Sequence, residues 1–560
     1  MGKLKFISVF LGFSISAFGF ARDSALDFSR VRLQFASCFF EKLLPERRRE
    51  SYIFLSDNPP KSSYGQILKS SSIIGGAQGI NYLVGMVRTK LVAVLLGPSG
   101  VGLVGLYISA TELVGTVAGL GISTSGVREV AEAHGGGKAE HVARTVKTLR
   151  RACWVTGIFG WLLCAALSYP LSVYTFGSGE RAWAIAILGS TILISAVSSG
   201  QSALIQGMRR IGDLARIGVI GAVAGTIVAI GLYGWLGQKG IVPVLIVTAA
   251  VNLGFSWWFA RKIPVITVSL TWRETLANSK RLVHIGAAIM YGVLLASVVS
   301  LTIRSLIVKR YGLDANGIYQ AAWAISGMFA GFIINAMGAD FYPRLTAVAH
   351  DNEQVNRLVN EQTEIGILLA LPGLIGTLVF APWFMRIFYT AKFLPGAELL
   401  PWFVIGVFIQ VIIFPMGHIT RAKGAVRWIY FGQTWANVSA LILATVLMSY
   451  FGILGVAYAA FLNVAILGFI VFLIARHLSN FSWAREVLKL VAVSLVLILM
   501  AMVIQEIPNT AVAICAGTFI SAVGCGVSLR GIASRLGREH RIIKAVCSLP
   551  CGCLICGFKQ

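Results

Sequence analysis

Apolar runs of bilayer-crossing length succeed one another along most of this chain, broken by short polar connections. Scanned with a window of about 19 residues, they predict helices over 73–96, 101–126, 151–174, 182–207, 214–236 and 240–260. A second set covers 283–308, 315–339, 363–388, 399–420, 427–450 and 452–475, and two more cover 487–505 and 509–528. The connections alternate in charge. Arg128, Lys138, Arg144, Lys147, Arg150 and Arg151 follow the second span, and Arg209, Arg210 and Arg216 follow the fourth. Arg261, Lys262, Arg273, Lys280 and Arg281 follow the sixth, and Arg344, Arg357, Arg421, Lys423, Arg427, Arg476, Arg485 and Lys489 continue the series. The intervening connections are short and poor in cations: "GPSG", "GSGER", "GQKG" and "FGIL". Cytoplasmic loops collect Lys and Arg, so both ends of the bundle are expected to face the cytoplasm.

Composition agrees with the pattern. The chain has 560 residues, of which 56% are hydrophobic and 13% charged, with a mean hydropathy of +0.78. A soluble domain carries about 25% charged residues, so a single aqueous domain is excluded. The 60 glycines are scattered through apolar runs, where small residues let membrane helices approach closely. The net charge of +25 sits in loops between spans. It therefore reads as membrane topology rather than as a nucleic-acid surface.

The ends depart from this plan. "MGKLK" followed by "FISVFLGFSISAFGFA" imitates a signal peptide. A cleaved signal would start the next span from outside and spoil the charge alternation. Residues 1–65 are therefore read as a cytoplasmic extension or a start assigned too far upstream. Cys153, Cys164, Cys515 and Cys525 fall in predicted helices, where cysteine serves as a small apolar side chain. Cys547, Cys551, Cys553 and Cys556 of "CSLPCGCLICG" match no familiar zinc spacing, and a reduced cytoplasmic tail over 529–560 is expected.

The chain repeats itself. An offset of 215 aligns "VRTKLVAVLLGPSGVGLVG" at 87–105 with "IRSLIVKRYGLDANGIYQA" at 303–321, pairing Gly97 with Gly312, Gly102 with Gly317 and Leu103 with Ile318. Arg128 and Arg344, at an offset of 216, each begin a cytoplasmic loop. The predicted fold is an all-α polytopic membrane protein of about fourteen transmembrane helices. It comprises two pseudo-symmetric six-helix lobes, 66–270 and 271–480, around a central cavity, plus two C-terminal helices within 481–528. Paired lobes of this kind characterise secondary transporters.

Against this background three cations are out of place. Arg88 and Lys90 lie inside the first span, and Arg304 of the seventh falls opposite Thr89, between them. Each costs roughly 2.5–3.5 kcal/mol near a helix centre. Snorkelling explains Lys309 and Arg310 at the end of their span better than Arg88, which is followed by eight largely apolar residues. Arg88 and Lys90 stand about 200° apart around a helix, so both cannot point squarely into one cavity. Cations in a cavity between lobes suit an anionic substrate such as a phosphate or pyrophosphate, whose oxygens match the arginine fork. Glu112, well inside the second span, either neutralises Arg88 or Lys90 or takes a proton in an ion-coupled cycle. Asp340 reads as a helix-end residue. Gln201, Asn252, Gln320, Asn335 and Gln410 fit either sugar hydroxyls or interhelical hydrogen bonds. No metal site is predicted.

"KLVAVLLGPSGVGLVGLYISATELVGTVAGLGISTSGVREVAE", with the later "YGLDANGIYQAAWAISGMFAGFIINAMGADFYPRLTAVA", resembles the Wzx-type O-antigen and polysaccharide flippases. These belong to the multidrug, oligosaccharidyl-lipid and polysaccharide exporter superfamily. The resemblance covers roughly 66–480 and is specific in the two hairpins. It implies a twelve- or fourteen-helix inverting transporter of the bacterial inner membrane, carrying undecaprenyl-pyrophosphate-linked oligosaccharide to the periplasmic leaflet. In such flippases a basic residue precedes the glycine-rich turn of the first helix, matching Lys90 with Arg88 adjacent, and another in the seventh matches Arg304. The implied partners are that lipid-linked cargo, membrane lipids, and a polysaccharide polymerase and chain-length regulator, with no cofactor and no nucleic acid.

The chain holds no GxxxxGK[ST] stretch, so the energy is expected from an ion gradient or from consumption of the product. A multidrug or cation antiporter of the same fold would favour carboxylates in its cavity. A lipid II flippase shares the headgroup anion. An O-antigen polymerase or ligase would need a substantial periplasmic loop, and none is predicted.

Overall fold

Two glycines fix the sharpest turns of the molecule. Gly97 (φ 67°, ψ −173°) and Gly312 (φ 85°, ψ 177°) occupy backbone space that is essentially restricted to glycine. They are the pair that the offset of 215 aligns. In the computed structural model, which describes residues 63–536 apart from Lys138, Glu506, Pro508 and Asn509, each interrupts one long helix. α1 (Ser63–Gly119) breaks at Gly97, and α8 (Trp272–Ala347) breaks at Gly312. The connection is thus tighter than the four-residue "GPSG" turn read from sequence. The helix resumes at Pro98, where a missing N–H costs nothing because a first-turn amide lacks a partner anyway.

The remaining helices, in order, are α2 (Ile122–Gly135), α3 (Ala139–Ala166), α4 (Ser168–Phe176), α5 (Ala182–Gly207), α6 (Ile211–Leu236) and α7 (Ile241–Ala260). After α8 come α9 (Asn352–Val379), α10 (Ala381–Phe388), α11 (Leu400–Ala422), α12 (Val426–Phe451), α13 (Leu454–Ser479), α14 (Arg485–Ile504) and α15 (Thr510–Leu536). No strand occurs among the described residues.

Among the described residues ten helical runs are long and apolar enough to cross a membrane, or eleven if α3 and α4, bent by 58°, form one span. Three runs exceed a single crossing: Gly76–Gly119, Ile211–Ala260 and Met290–Met328, of 44, 50 and 39 residues. At 1.5 Å per residue, 39 residues cover about 58 Å, nearly twice the hydrocarbon thickness. Each contains a glycine break, at Gly97, Gly237 or Gly312. Reading each of these three runs as two crossings gives thirteen among the described residues, and fourteen when α3 and α4 count as one span.

The second span ends earlier than its hydropathy implies. Leu120 (φ 46°) and Gly121 (φ 64°) turn the chain, and the arginine-bearing stretch after them is helix α2, not loop. Its Ile122 and Val130 join Val146, Leu149 and Cys153 of α3 and Leu204 of α5 in one core. At the corresponding place in the repeat Arg344 falls in the last turn of α8. The starts of α8 and α9 are capped: Thr271 and Glu274 form a reciprocal capping box, and Asp351 accepts from the backbone amides of Glu353 and Gln354. The Gln354 amide is the main cause holding the Asp351 carboxyl below its usual range.

α14 and α15 are packed against the second lobe. Leu497, Ile498, Ala501 and Ile520 interleave with Leu371, Leu374 and Ile375 of α9, and Arg535 pairs with Glu364 at 2.6 Å. The described residues from Gln66 onward form one compact unit. Residues 1–62 and the cysteine tail from 537 lie outside the described residues.

The two lobes meet through their repeated hairpins. A Cβ on Gly102 would collide with the Leu313 carbonyl oxygen, and one on Gly317 with the Pro98 carbonyl oxygen. Gly102 and Gly317 are equivalent under the offset, and so are Pro98 and Leu313. The contact is therefore reciprocal, as at the self-complementary interface of a two-fold dimer. Asn316 donates from Nδ2 to the Gly102 carbonyl at 2.8 Å. Ala93 and Val101 of α1 are buried in a core built mainly from the second lobe, with Ile307, Tyr319, Met385 and Phe393. This seals the hairpin end.

Gly102→Ala or Gly317→Ala should force the hairpins apart at a cost of about 1–3 kcal/mol, as overpacking does. Thermal unfolding of the purified chain measures this. Gly85→Ala, where nothing lies within 4 Å, is the control expected to unfold with the wild type.

Candidate functional site

Gly105 stands one helical turn beyond the seal, and its missing side chain makes room for a polar pair. A Cβ there would collide with Gln320 Oε1 and would come within 2.6 Å of Arg304 Nη1. Arg304 donates from Nη1 to Gln320 Oε1 at 2.8 Å. Under the offset of 215, Gly105 corresponds to Gln320 itself, so the pseudo-axis passes between them. One lobe contributes the bare backbone and the other both polar side chains.

Arg304 is half-buried, and its Nε is buried without a partner. The bond to Gln320 uses one of five guanidinium N–H groups. The other guanidinium N–H groups have no acceptor among the described residues.

Glu112 lies seven residues beyond Gly105 on the same helix face, about 10.5 Å further along. Its equivalent in the second lobe is Gly327. Both positions are exposed, and nothing lies within 4 Å of where a Gly327 Cβ would point. The interlobe cleft is open at this depth. Arg304 acts electrostatically on Glu112, although the two form no ion pair among the described residues. At the far end of the cleft the lobes meet again, with Gly121 against Gly286 and Tyr82 Oη 3.5 Å from the Cβ position of Gly331.

The other two cations part company. Lys90 donates to the carbonyls of Arg386 and Tyr389, capping the C-terminal end of α10 in the opposite lobe, where a cation complements the helix dipole. Arg88 acts electrostatically on the buried Tyr233 of α6, in its own lobe. No hydrogen bond or ion pair joins Arg88 or Lys90 to Arg304 or Glu112 among the described residues. The structure therefore brings Arg304, Gln320 and Glu112 to one cleft and sets Lys90 against the end of α10, while Arg88 joins neither group. Of the other polar candidates, Gln201 accepts from Arg150 at 3.4 Å and Asn252 abuts Gly221, both within the first lobe. Gly105 was missed by sequence reading, although its alignment with Gln320 was available as a signal.

A model of the family of polysaccharide biosynthesis proteins matches residues 91–398, more than half of the chain and both hairpins. The chain belongs to this polysaccharide biosynthesis protein family. It is 22% identical over 386 residues to the lipid III flippase of Escherichia coli (strain K12), covering 67% of this chain and 90% of that protein. Among solved structures it resembles an inward-facing multidrug resistance MATE family transporter of the MOP superfamily (TM-score 0.62, 15% identity, 73% of this chain and 95% of that one). It also resembles the lipid II flippase MurJ in an inward closed conformation (TM-score 0.59, 14% identity, 81% and 98%). An outward-facing multidrug resistance MATE transporter superposes with a TM-score of 0.55 at 15% identity, over 76% and 96%. These likenesses give the superfamily fold, and the resemblance read from the two hairpins holds for family and fold.

Lys90→Met would leave the Arg386 and Tyr389 carbonyls without their charged donor, a loss of about 1.5–3 kcal/mol. A single cysteine placed at Ala93, 1% exposed, should then react faster with a maleimide. Unchanged labelling would mean that Lys90 does not hold this end shut.

Proposed function

We propose that this integral membrane protein is a flippase. It moves undecaprenyl-pyrophosphate-linked oligosaccharide from the cytoplasmic to the periplasmic leaflet of a bacterial inner membrane by alternating access. The cargo is an O-antigen or exopolysaccharide repeat unit. The observation that carries this reading is the underused arginine fork beside the interlobe seal, in a chain whose family is polysaccharide biosynthesis. Polar groups left unsatisfied in hydrocarbon cost several kcal/mol each, so pyrophosphate and sugars need a polar route between the lobes. Arg304 binds the pyrophosphate and Gln320 positions the guanidinium, while the prenyl chain stays in lipid. The glycine seal closes the periplasmic side until the lobes rock apart. Lys90 and Arg88 support this site from outside it, Lys90 by latching the first lobe onto α10.

Glu112 is assigned to ion coupling, because it is exposed in the cleft within the field of Arg304 yet paired to no cation. A lipid II flippase presents the same headgroup anion and is the second reading, favoured by the likeness to MurJ. An organic-cation antiporter is disfavoured by the arginine at the seal.

Arg304→Gln should lower surface polysaccharide about tenfold or more, the worth of a charge-assisted hydrogen bond, with unchanged amounts of protein in the membrane. Arg304→Lys should retain part of the signal. Full polysaccharide in Arg304→Gln would remove the anion-site assignment. Glu112→Gln should make export insensitive to collapse of the proton gradient; sensitivity equal to wild type would assign Glu112 a structural role. Rescue of a strain lacking its lipid II flippase would favour the second reading.

A further inference from the structure

At the opposite end of the lobes from the hairpins, two grooves lie beside helix ends that carry cations. α7 and α13 are the sixth helices of the two halves, and both finish on the same pattern. The offset of 215 aligns Trp257 with Phe472, Ala260 with Ala475 and Arg261 with Arg476. Beside each helix end lies a groove. The first, of about 430 Å³, runs between α6 and α7 and is lined by Ala224, Val251, Gly254, Phe255 and Trp258. The second, of about 520 Å³, lies where α13 passes into α14, lined by Phe472, Arg476, Phe481, Ser482 and Trp483 among others.

Cations stand beside both grooves: Lys262 lies on Trp258, a wall of the first, with Arg261 next to it in sequence, and Arg476 lines the second. Lys262 Nζ sits 4.0 Å from the centre of the Trp258 ring, and the Arg261 guanidinium 4.4 Å from that of Trp257. Arg476 lines the second groove directly. None of these three cations pairs with a carboxylate among the described residues, whereas nearby Arg210 and Arg216 are both taken by Asp213. On α7 the buried positions Ile241, Val244, Ser256 and Phe259 lie on the opposite side of the helix from exposed Gly254 and Trp258. The first groove therefore faces away from the lobe's own core.

We propose that both grooves bind an anionic phospholipid of the surrounding bilayer, with an acyl chain along the apolar wall and the phosphodiester on the cations. An apolar trough with unpaired cations beside it is complementary to a chain joined to a phosphate. The two grooves are not equivalent under the offset, and two unrelated troughs away from the seal at Arg304 suit an abundant bilayer lipid rather than a single transported cargo. The sites stand independently of what the protein carries.

Native mass spectrometry of the full chain in detergent, titrated with phosphatidylglycerol or phosphatidylcholine, tests this. Two phosphatidylglycerols should be retained in preference to phosphatidylcholine. Arg261→Gln with Lys262→Gln should weaken one and Arg476→Gln the other, about fivefold for each cation removed, while Arg476→Lys should keep its lipid. Equal retention of the two lipids by the wild-type chain would overturn the proposal without any variant. Unchanged phosphatidylglycerol retention in the triple Gln variant would also overturn it. So would displacement of both lipids by equimolar undecaprenyl phosphate, which would assign the grooves to the cargo.

Discussion

Backbone touching backbone at Gly102 and Gly317 is the contact on which this architecture turns. Each glycine meets a carbonyl of the opposite hairpin, and the offset of 215 exchanges one contact for the other. Two homologous surfaces can approach this closely only if neither carries a side chain at the crossing. In a membrane, where lipid competes on equal terms for apolar surfaces, such close approach is a main source of helix affinity. Side chains extend the contact around it, with Ala93 and Val101 packed among Ile307, Tyr319, Met385 and Phe393, and at the other end of the lobes Gly121 meets Gly286.

The chemistry follows from how the symmetry is broken one turn further on. Glycine at 105 faces glutamine at 320, and the first lobe's threonine at 89 is an arginine at 304 in the second. The vacancy left by Gly105 is filled by Gln320 and the tip of Arg304, so the charge lies at the seam itself. Its desolvation is only partly offset by the one hydrogen bond to Gln320, and the buried Nε has no partner. Such a cation is the group that the proposed function assigns to the pyrophosphate. Two turns deeper Glu112 and its equivalent Gly327 again differ in having and lacking a side chain, and both are exposed.

Much of the fold was legible in the sequence because bilayer thickness and positive-inside bias act on long stretches of chain. The hairpins were legible because glycine is nearly alone in tolerating the backbone at 97 and 312. Helix boundaries were less so: the hydropathy of 101–126 continues smoothly through the turn at Leu120 and Gly121, which needs no polar residue. The site was half legible. Charge and depth singled out Arg88, Lys90 and Arg304 equally, since hydropathy does not report which way a side chain turns. Lys90 is spent on the end of α10, a short helix hidden in the predicted ninth span. Only the three-dimensional crossing of the hairpins separates Arg304 from the other two.

The account rests on a seal at the hairpin end that opens for an anionic lipid-linked cargo. Trp235 and Tyr450 are 82% and 78% exposed at the ends of α6 and α12, equivalent under the offset and placed one in each lobe. Spin labels at these two positions, read by pulsed dipolar spectroscopy on the chain in nanodiscs, report the separation of the lobes there. A single short distance without cargo, joined by a longer one when undecaprenyl-pyrophosphate-linked oligosaccharide is added and absent in Arg304→Gln, is the predicted result. One unchanged distribution with and without that cargo would contradict it.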